Sequence, residues 1–337
     1  MSLKINSVKV ACGEKVFDIK DEPMPDGAWW WWFWLFFFDN PKNPDRPRQL
    51  MILWSAKNTP EIDCNGLLIK PRLPLKKESL DGAVAAWYYN GEKMFHNFLL
   101  ERCNIEVSKN MLYASGQTPS SFAIFEDVNE IKIGERFRFM ATANGKDDFV
   151  APSYHANNYL KDKGYAITKI NRLDLTGIVD GASVKGTAYF QRVLVNGPAI
   201  PWYWGAFHFD KGAVLTYTNQ FILGKAVKKN ISFYDGKDMH IFKNIKVRRT
   251  KGDLPTFKVT GSSGREKIRF TVSAYAHSSW TFTKKATKHI PNHLVYNEYP
   301  AVLSEFELVN KKTKQKYTLN ELGKAVGNAE HAVGYLF

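Results

Sequence analysis

The sequence predicts an all-β fold in two consecutive domains, with a short helix near the C-terminal end. Three observations carry this. Alternating or uniformly apolar runs of strand length, separated by turn residues, recur along all 337 residues, the pattern of a β-rich chain. Ala28 to Phe38, AWWWWFWLFFF, is an unbroken apolar run that holds five of the ten tryptophans, so a packed body must form around it. Helix-start signals are scarce, and the one convincing case is a capping box formed by Thr318 and Glu321.

The aromatic run is too short to cross a bilayer, which takes about 20 apolar residues. Its length suits one strand. Trp30, Trp32, Trp34, Phe36 and Phe38 then share one face, and Trp29, Trp31, Phe33, Leu35 and Phe37 the other. Both faces are apolar, which fits a central strand packed on both sides. It equally fits a strand with one face, carrying Trp32 and Trp34, that lines a cavity for a long apolar ligand.

A loop with three prolines, Asp39 to Arg48, leads to a strand at Gln49 to Ala56. Asn90-Gly91, between AVAAWYY and KMFHNFLL, is a strong hairpin signal. Runs at Arg102 to Leu112, Ser121 to Phe125 and Arg136 to Thr142 complete a first set of strands. Asn144 to Asp162 is polar and irregular, which places the domain boundary there and divides the chain into 1–155 and 156–337. Further strands are predicted from Tyr165 to Leu175 onward, through Ser183 to Val195, Trp202 to Phe209 and Ala213 to Phe221, as far as Ala301 to Val309. Asp210-Lys211-Gly212, Asp235-Gly236 and Gly261 to Gly264 supply hairpin turns. The capped helix should run to about Val326 and stop at Gly327, before a last strand at Ala332 to Phe337.

With 47 basic and 33 acidic residues the net charge is +14, which favours an anionic partner. Basic residues concentrate in the second half at Lys225, Lys228, Lys229, Lys243, Lys246, Arg248, Arg249 and Lys251. Two later groups are Lys284, Lys285 and Lys288, then Lys311, Lys312, Lys314 and Lys316. Gathered at one barrel end they would form a rim suited to peripheral contact with an anionic membrane. Nucleic acid is not expected, because the aromatics stand in uncharged runs rather than interleaved with basic residues. Cys12, Cys64 and Cys103 are widely spaced without a CxxC, so no disulfide framework or metal site is indicated. The N-terminus has no apolar signal segment, and a cytoplasmic protein is expected. No phosphate-binding glycine loop, HExxH or GxSxG occurs, and no cofactor is implied.

Gly186 to Gly212, GTAYFQRVLVNGPAIPWYWGAFHFDKG, is the richest stretch for function. Strand parity puts Trp202, Trp204, Ala206 and His208 on one face, and Tyr189 with Gln191 on one face of the preceding strand. Facing inward, Tyr189, Gln191, Trp202, Trp204 and His208 would form an aromatic pocket with few polar groups. The same residues would serve equally as a structural core. Gly205 in mid-strand marks a bend or a close backbone approach. Protonating an alkene requires a carboxylic acid kept neutral by burial. Glu101 and Asp210, each ending an apolar run, are the candidate acids, and His208 is the candidate base.

This pattern resembles the lipocalin-like family that groups AttH with the carotenoid hydratase hydroxyneurosporene synthase. Trp31, Trp32, Phe33 and Trp34 resemble its early Trp-Trp-Tyr-Phe strand. Gly186 and Tyr189, followed by Trp202, Trp204 and Gly205, resemble its Gly-x-x-Tyr and Trp-x-Trp-Gly strands. The resemblance covers most of the chain and implies two consecutive calycin barrels. It also implies a long apolar, isoprenoid-like ligand, bound by Trp32, Trp34, Tyr189, Gln191, Trp202 and Trp204, with hydratase or cyclase chemistry. Where the hydratases carry an acid and a histidine after the tyrosine, this chain has Gln191 and Arg192. The alternatives are a lipid carrier without chemistry and a structural protein whose barrels are filled by side chains.

Overall fold

The computed structural model describes residues 16–17, 24–73, 75, 79–143, 163–284 and 292–337, and the backbone of 153–160. In chain order the strands begin with β1 (Trp29–Phe38), β2 (Arg48–Lys57), β3 (Ile62–Cys64), β4 (Leu67–Ile69), β5 (Leu80–Tyr89) and β6 (Met94–Val107). Next come β7 (Met111–Ser115), β8 (Ser120–Phe125), β9 (Val128–Ile133), β10 (Phe137–Thr142), β11 (Ser153–Leu160), β12 (Lys163–Val179) and β13 (Ala182–Asn196). The second part comprises β14 (Trp202–Phe209), β15 (Val214–Ile222), β16 (Lys225–Tyr234), β17 (Met239–Phe242), β18 (Asn244–Arg249) and β19 (Thr256–Ser262). It ends with β20 (Glu266–Ala274), β21 (Ser278–Thr283), β22 (His293–Asn310), β23 (Lys316–Thr318), helix α1 (Leu319–Leu322) and β24 (Ala325–Tyr335).

The aromatic run is the centre of the first sheet. β1 pairs with β2 and with β13 along its whole length, Trp29 opposite Lys57 and Val195, Phe38 opposite Arg48 and Gly186. The sheet continues through β5 to β10, and β10 pairs with the later half of β12, which closes a ten-stranded barrel with β11 outside the circle. Closure leaves these strands no free edge. Trp32, Trp34, Phe36 and Phe38 fill the interior with Trp54, Phe122, Phe139 and Phe190. Trp34 meets Phe122 edge-on at 5.0 Å between ring centroids and Phe36 stacks on Phe139 at 4.4 Å, the edge and stacked contacts that aromatic rings prefer. The lumen is a packed core.

In the second sheet the order runs from β17 through β16, β15, β14, β24, β22, β20 and β19 to β18. Its two ends, β17 and β18, are separated in the chain only by Lys243. Phe207, Phe209, Tyr217, Phe233, Phe257 and Phe270 pack within it. The hairpin β3–β4 from the first half pairs with β21, Phe282 opposite Cys64, so the two halves interlock.

The sheets do not divide the chain at 155/156. β12 and β13 complete the first barrel, and the chain passes to the second sheet between Asn196 and Trp202. The physical reason is that Ala188 and Phe190 of β13 supply interior side chains opposite β1. The polar stretch that suggested a boundary contains β11, which pairs with β12 within the first sheet. The capping box at Thr318 is present, with Glu321 Oε2 accepting from the Thr318 N–H at 2.8 Å. The helix ends at Gly323 (φ 82°), earlier than predicted, because Ala325 onward pairs with β14 and β22 as β24.

Candidate functional site: the layer between the sheets

A third apolar layer lies between the barrel and the second sheet. Trp29, Phe33, Leu35 and Phe37 of β1 enter it with Trp87 of β5 and Tyr189 of β13, and the second sheet contributes Trp280, Tyr296, Trp202 and Trp204. The parity grouping of Tyr189, Gln191, Trp202 and Trp204 holds, since the Tyr189 and Trp204 rings are 5.1 Å apart and the Tyr189 hydroxyl donates to Gln191 Oε1 at 3.0 Å. The location differs from the expectation. β14 turns Phe207 and Phe209 toward the second sheet's own core and Trp202 and Trp204 away from it. Gly205 permits a close approach, because a Cβ there would stand 2.5 Å from the Tyr217 ring. Trp32 and Trp34 lie on the opposite face of the barrel wall, sealed in its interior, where the Arg192 guanidinium sits 5.9 Å above the Trp32 ring. The six predicted ligand residues therefore form two separate groups.

None of the three predicted catalytic residues stands free in this layer. His208 is buried with both ring nitrogens engaged, Nε2 at 2.7 Å from the Asn171 carbonyl oxygen and Nδ1 at 2.7 Å from Thr187 Oγ1. The carbonyl can only accept, so Nε2 carries the proton and Nδ1 accepts from the threonine. Burial, with the Arg172 charge nearby, drives its pKa down to about 3, which makes it a neutral structural histidine. Asp210 is exposed and accepts from the Lys324 N–H at 3.0 Å, tying its turn to the chain after α1. Glu101 accepts from the Thr118 N–H at 2.9 Å and from its hydroxyl at 2.6 Å.

The layer holds a different pair of acids. Glu298 of β22 and Glu330 of β24 are direct cross-strand partners, and both are buried. Tyr296 Oη lies 2.7 Å from Glu298 Oε1 and 2.8 Å from Glu330 Oε1. Trp202 Nε1–H donates to Glu330 Oε2 at 2.7 Å, and Trp87 Nε1–H donates to Glu298 Oε2. A tyrosine hydroxyl has one hydrogen and cannot donate to both carboxylates. One of the two contacts must therefore be a carboxylic O–H donating to Tyr296. Electrostatics agree. Burial raises the Glu298 carboxyl well above the ordinary range, reinforced by the charge of Glu330, and burial likewise raises Glu330. Like charges this close share a proton rather than ionise together.

Sequence reading passed over both acids. Glu298 stands in VYNEYP, a stretch assigned to no strand, and Glu330 stands in NAEHAV, just past the predicted end of the helix. The available signal was a lone acid in each otherwise uncharged, apolar-flanked run. Among the described residues no cluster of three or more metal-ligating side chains occurs, and Cys64 and Cys103 are free thiols pushed up to about 12 by burial. Cys12, Lys285 and Lys288 lie outside the described residues.

No family model matches the chain, and no curated protein matches it in sequence. Its fold matches the crystal structure of a Nitrosomonas europaea protein provisionally described as AttH, with a TM-score of 0.60 and 10% identity over 100% of both chains. The fold of this chain is AttH-like. Outer membrane protease OmpT of Escherichia coli gives a TM-score of 0.14, which carries no argument. No helix among the described residues is long and apolar enough to cross a membrane.

Proposed function

We propose that the layer between the sheets binds a long apolar, isoprenoid-like molecule and that the Glu298–Glu330 pair acts on it as a proton donor. The observation that carries this reading is the bridged carboxyl pair, which needs a proton to satisfy its own hydrogen bonds. A neutral carboxyl in an apolar layer is what alkene protonation requires. The acid's proton would add to one alkene carbon, and the π electrons form that C–H bond. The cation left on the neighbouring carbon would face the rings of Trp202, Trp204 and Tyr189, whose π faces attract positive charge. In a hydratase, water then adds to that carbon and its proton returns to the carboxylate. In a cyclase, a second alkene attacks and a C–H proton returns instead.

The same protein would work at an anionic membrane surface, where such a ligand resides. Its docking end would be the one formed by the β15–β16 and β18–β19 turns, which carry exposed Leu223 and Leu254, with Lys225 and Lys229 on β16, Arg248 on β18 and Lys251 in the second turn. The close packing of both cores favours a second reading, in which the pair joins two filled halves and performs no chemistry.

Incubation of the purified chain with an acyclic isoprenoid polyene in ¹⁸O-water separates these readings. Hydratase chemistry gives a product heavier by one labelled water, and cyclisation gives an isomer of unchanged mass and altered spectrum. Both should vanish in Glu298→Gln and Glu330→Gln. A polyene that is neither bound nor changed overturns the proposal and leaves the structural reading.

A further inference from the structure

The layer between the sheets also contains a buried amine that the carboxyl pair does not use. Lys57 ends β2 at only 4% exposure. Its Nζ donates to the Gly27 carbonyl oxygen at 2.8 Å and sits 5.6 Å from the centre of the Trp29 ring. It makes no ion pair among the described residues. Lys57 lines a partly open cavity of about 20 Å³, walled chiefly by Trp29, Leu53, Ile62, Ile69 and Phe282, with room for one small polar group. Gly82 forms part of the wall, and a Cβ there would collide with the Ser55 carbonyl oxygen at 2.2 Å.

We infer that Lys57 captures carbonyl compounds, its amine forming an imine with an aldehyde at the end of an apolar chain. The cavity seats the formyl group, the apolar wall takes the first carbons, and the rest of the chain leaves through the opening. The amine is suited to this because burial, with the Lys284 charge beside it, drives its pKa down to about 7, so a large fraction is unprotonated near neutrality. The nitrogen lone pair attacks the carbonyl carbon, the C=O π pair moves to oxygen, and a proton passes from nitrogen to that oxygen. The carbinolamine then loses its hydroxyl with the remaining nitrogen proton as water while the C=N bond forms. Aldehyde and amine give imine and water, with no oxidant or reductant. This inference stands on the cavity and its amine alone and does not depend on the carboxyl pair.

Hexanal with sodium cyanoborohydride at pH 7, followed by intact-mass measurement and peptide mapping of the full chain, tests it directly, since reduction fixes the imine as a hexyl amine. We expect labelling at Lys57 at least about tenfold faster than at any exposed lysine, because exposed lysines near pKa 10.4 are almost wholly protonated. The terminal amino group is separated by the map. Lys57→Arg and Lys57→Met, checked for folding by circular dichroism, should lose this fast label. Equal labelling across exposed lysines in the wild-type chain overturns the inference, even if neither variant folds. So does fast labelling that survives in a folded Lys57→Arg protein.

Discussion

At the level of single residues, Glu298 and Glu330 set competing demands on stability and chemistry. Both carboxyls are raised in the folded chain by burial, and Glu298 further by the charge of Glu330, whereas in the unfolded chain they titrate near 4.3. A raised carboxyl contributes its full stability below the unfolded pKa. It loses that stability as pH climbs toward the folded pKa, because the folded state holds protons that the unfolded state releases. Glutamine at position 330 can still donate to Tyr296 and accept from Trp202 without holding a titrating proton. Relative to wild type, Glu330→Gln should therefore become progressively more stable as pH rises from about 5, by up to about 1.4 kcal/mol per pH unit. Urea denaturation at a series of pH values measures this. A pH-independent difference between the two proteins would mean that the pair is not protonated as its bonds require. His208 and Lys57 titrate in the opposite sense, and the comparison with the variant cancels them.

At the level of the strand, parity was legible and facing was not. Alternation placed Tyr189, Gln191, Trp202 and Trp204 together, and the uniform run of β1 gave a strand buried on both faces, as observed. When both faces of a strand are apolar, however, nothing local tells which one meets a lumen and which meets a neighbouring sheet. The helix prediction erred for a related reason. The capping box is a local device, while the rest of the segment is settled by pairing of β24 with β14 and β22. Membership of a sheet is equally non-local, so the polar stretch before β12 reads as a boundary, whereas it contains β11, a strand of the first sheet.

These placements predict different costs for two tryptophans. Trp34, fully buried in the barrel interior, should lose about 3 to 5 kcal/mol on substitution by Ala. Trp204, only partly buried at the inter-sheet layer, should lose clearly less, and its replacement should weaken binding of a polyene probe instead. Equal losses would place Trp204 in a filled core. Gly327→Ala tests the β14–β24 pairing itself. A Cβ there would stand 2.0 Å from the Ala206 carbonyl oxygen, and the resulting shift should cost about 1 to 3 kcal/mol, read as a lower urea midpoint.

At the level of the molecule, the basic residues are divided rather than gathered. Lys311, Lys312, Lys314 and Lys316 lie at the end of the second sheet where β22 turns into β23, and Lys316 there is paired with Glu307. Lys225, Lys229, Arg248 and Lys251 lie at the opposite end. This second end combines charge with exposed apolar side chains at its turns. Leu223 is 85% exposed at the tip of the two-residue β15–β16 turn, and Leu254 is 53% exposed in the β18–β19 turn. Leu223 has φ 48° and is followed by Gly224 at φ 76°, a conformation that Asn-Gly adopts more readily than Leu-Gly. An exposed leucine kept at such a turn suits insertion into a bilayer surface, with neighbouring lysines on anionic headgroups. Binding to vesicles containing phosphatidylserine should therefore exceed binding to neutral vesicles and weaken as added salt shortens the Debye length below about 8 Å. Lys225→Ala and Lys229→Ala should each cost about 1 kcal/mol of that binding, while Lys312→Ala at the far end should cost nothing. Leu223→Ser should weaken binding at every salt concentration, because burial of its side chain is not screened. Loss of binding on Lys312→Ala rather than Lys225→Ala would put the membrane contact at the other end, and equal binding to neutral and anionic vesicles would remove the electrostatic part altogether.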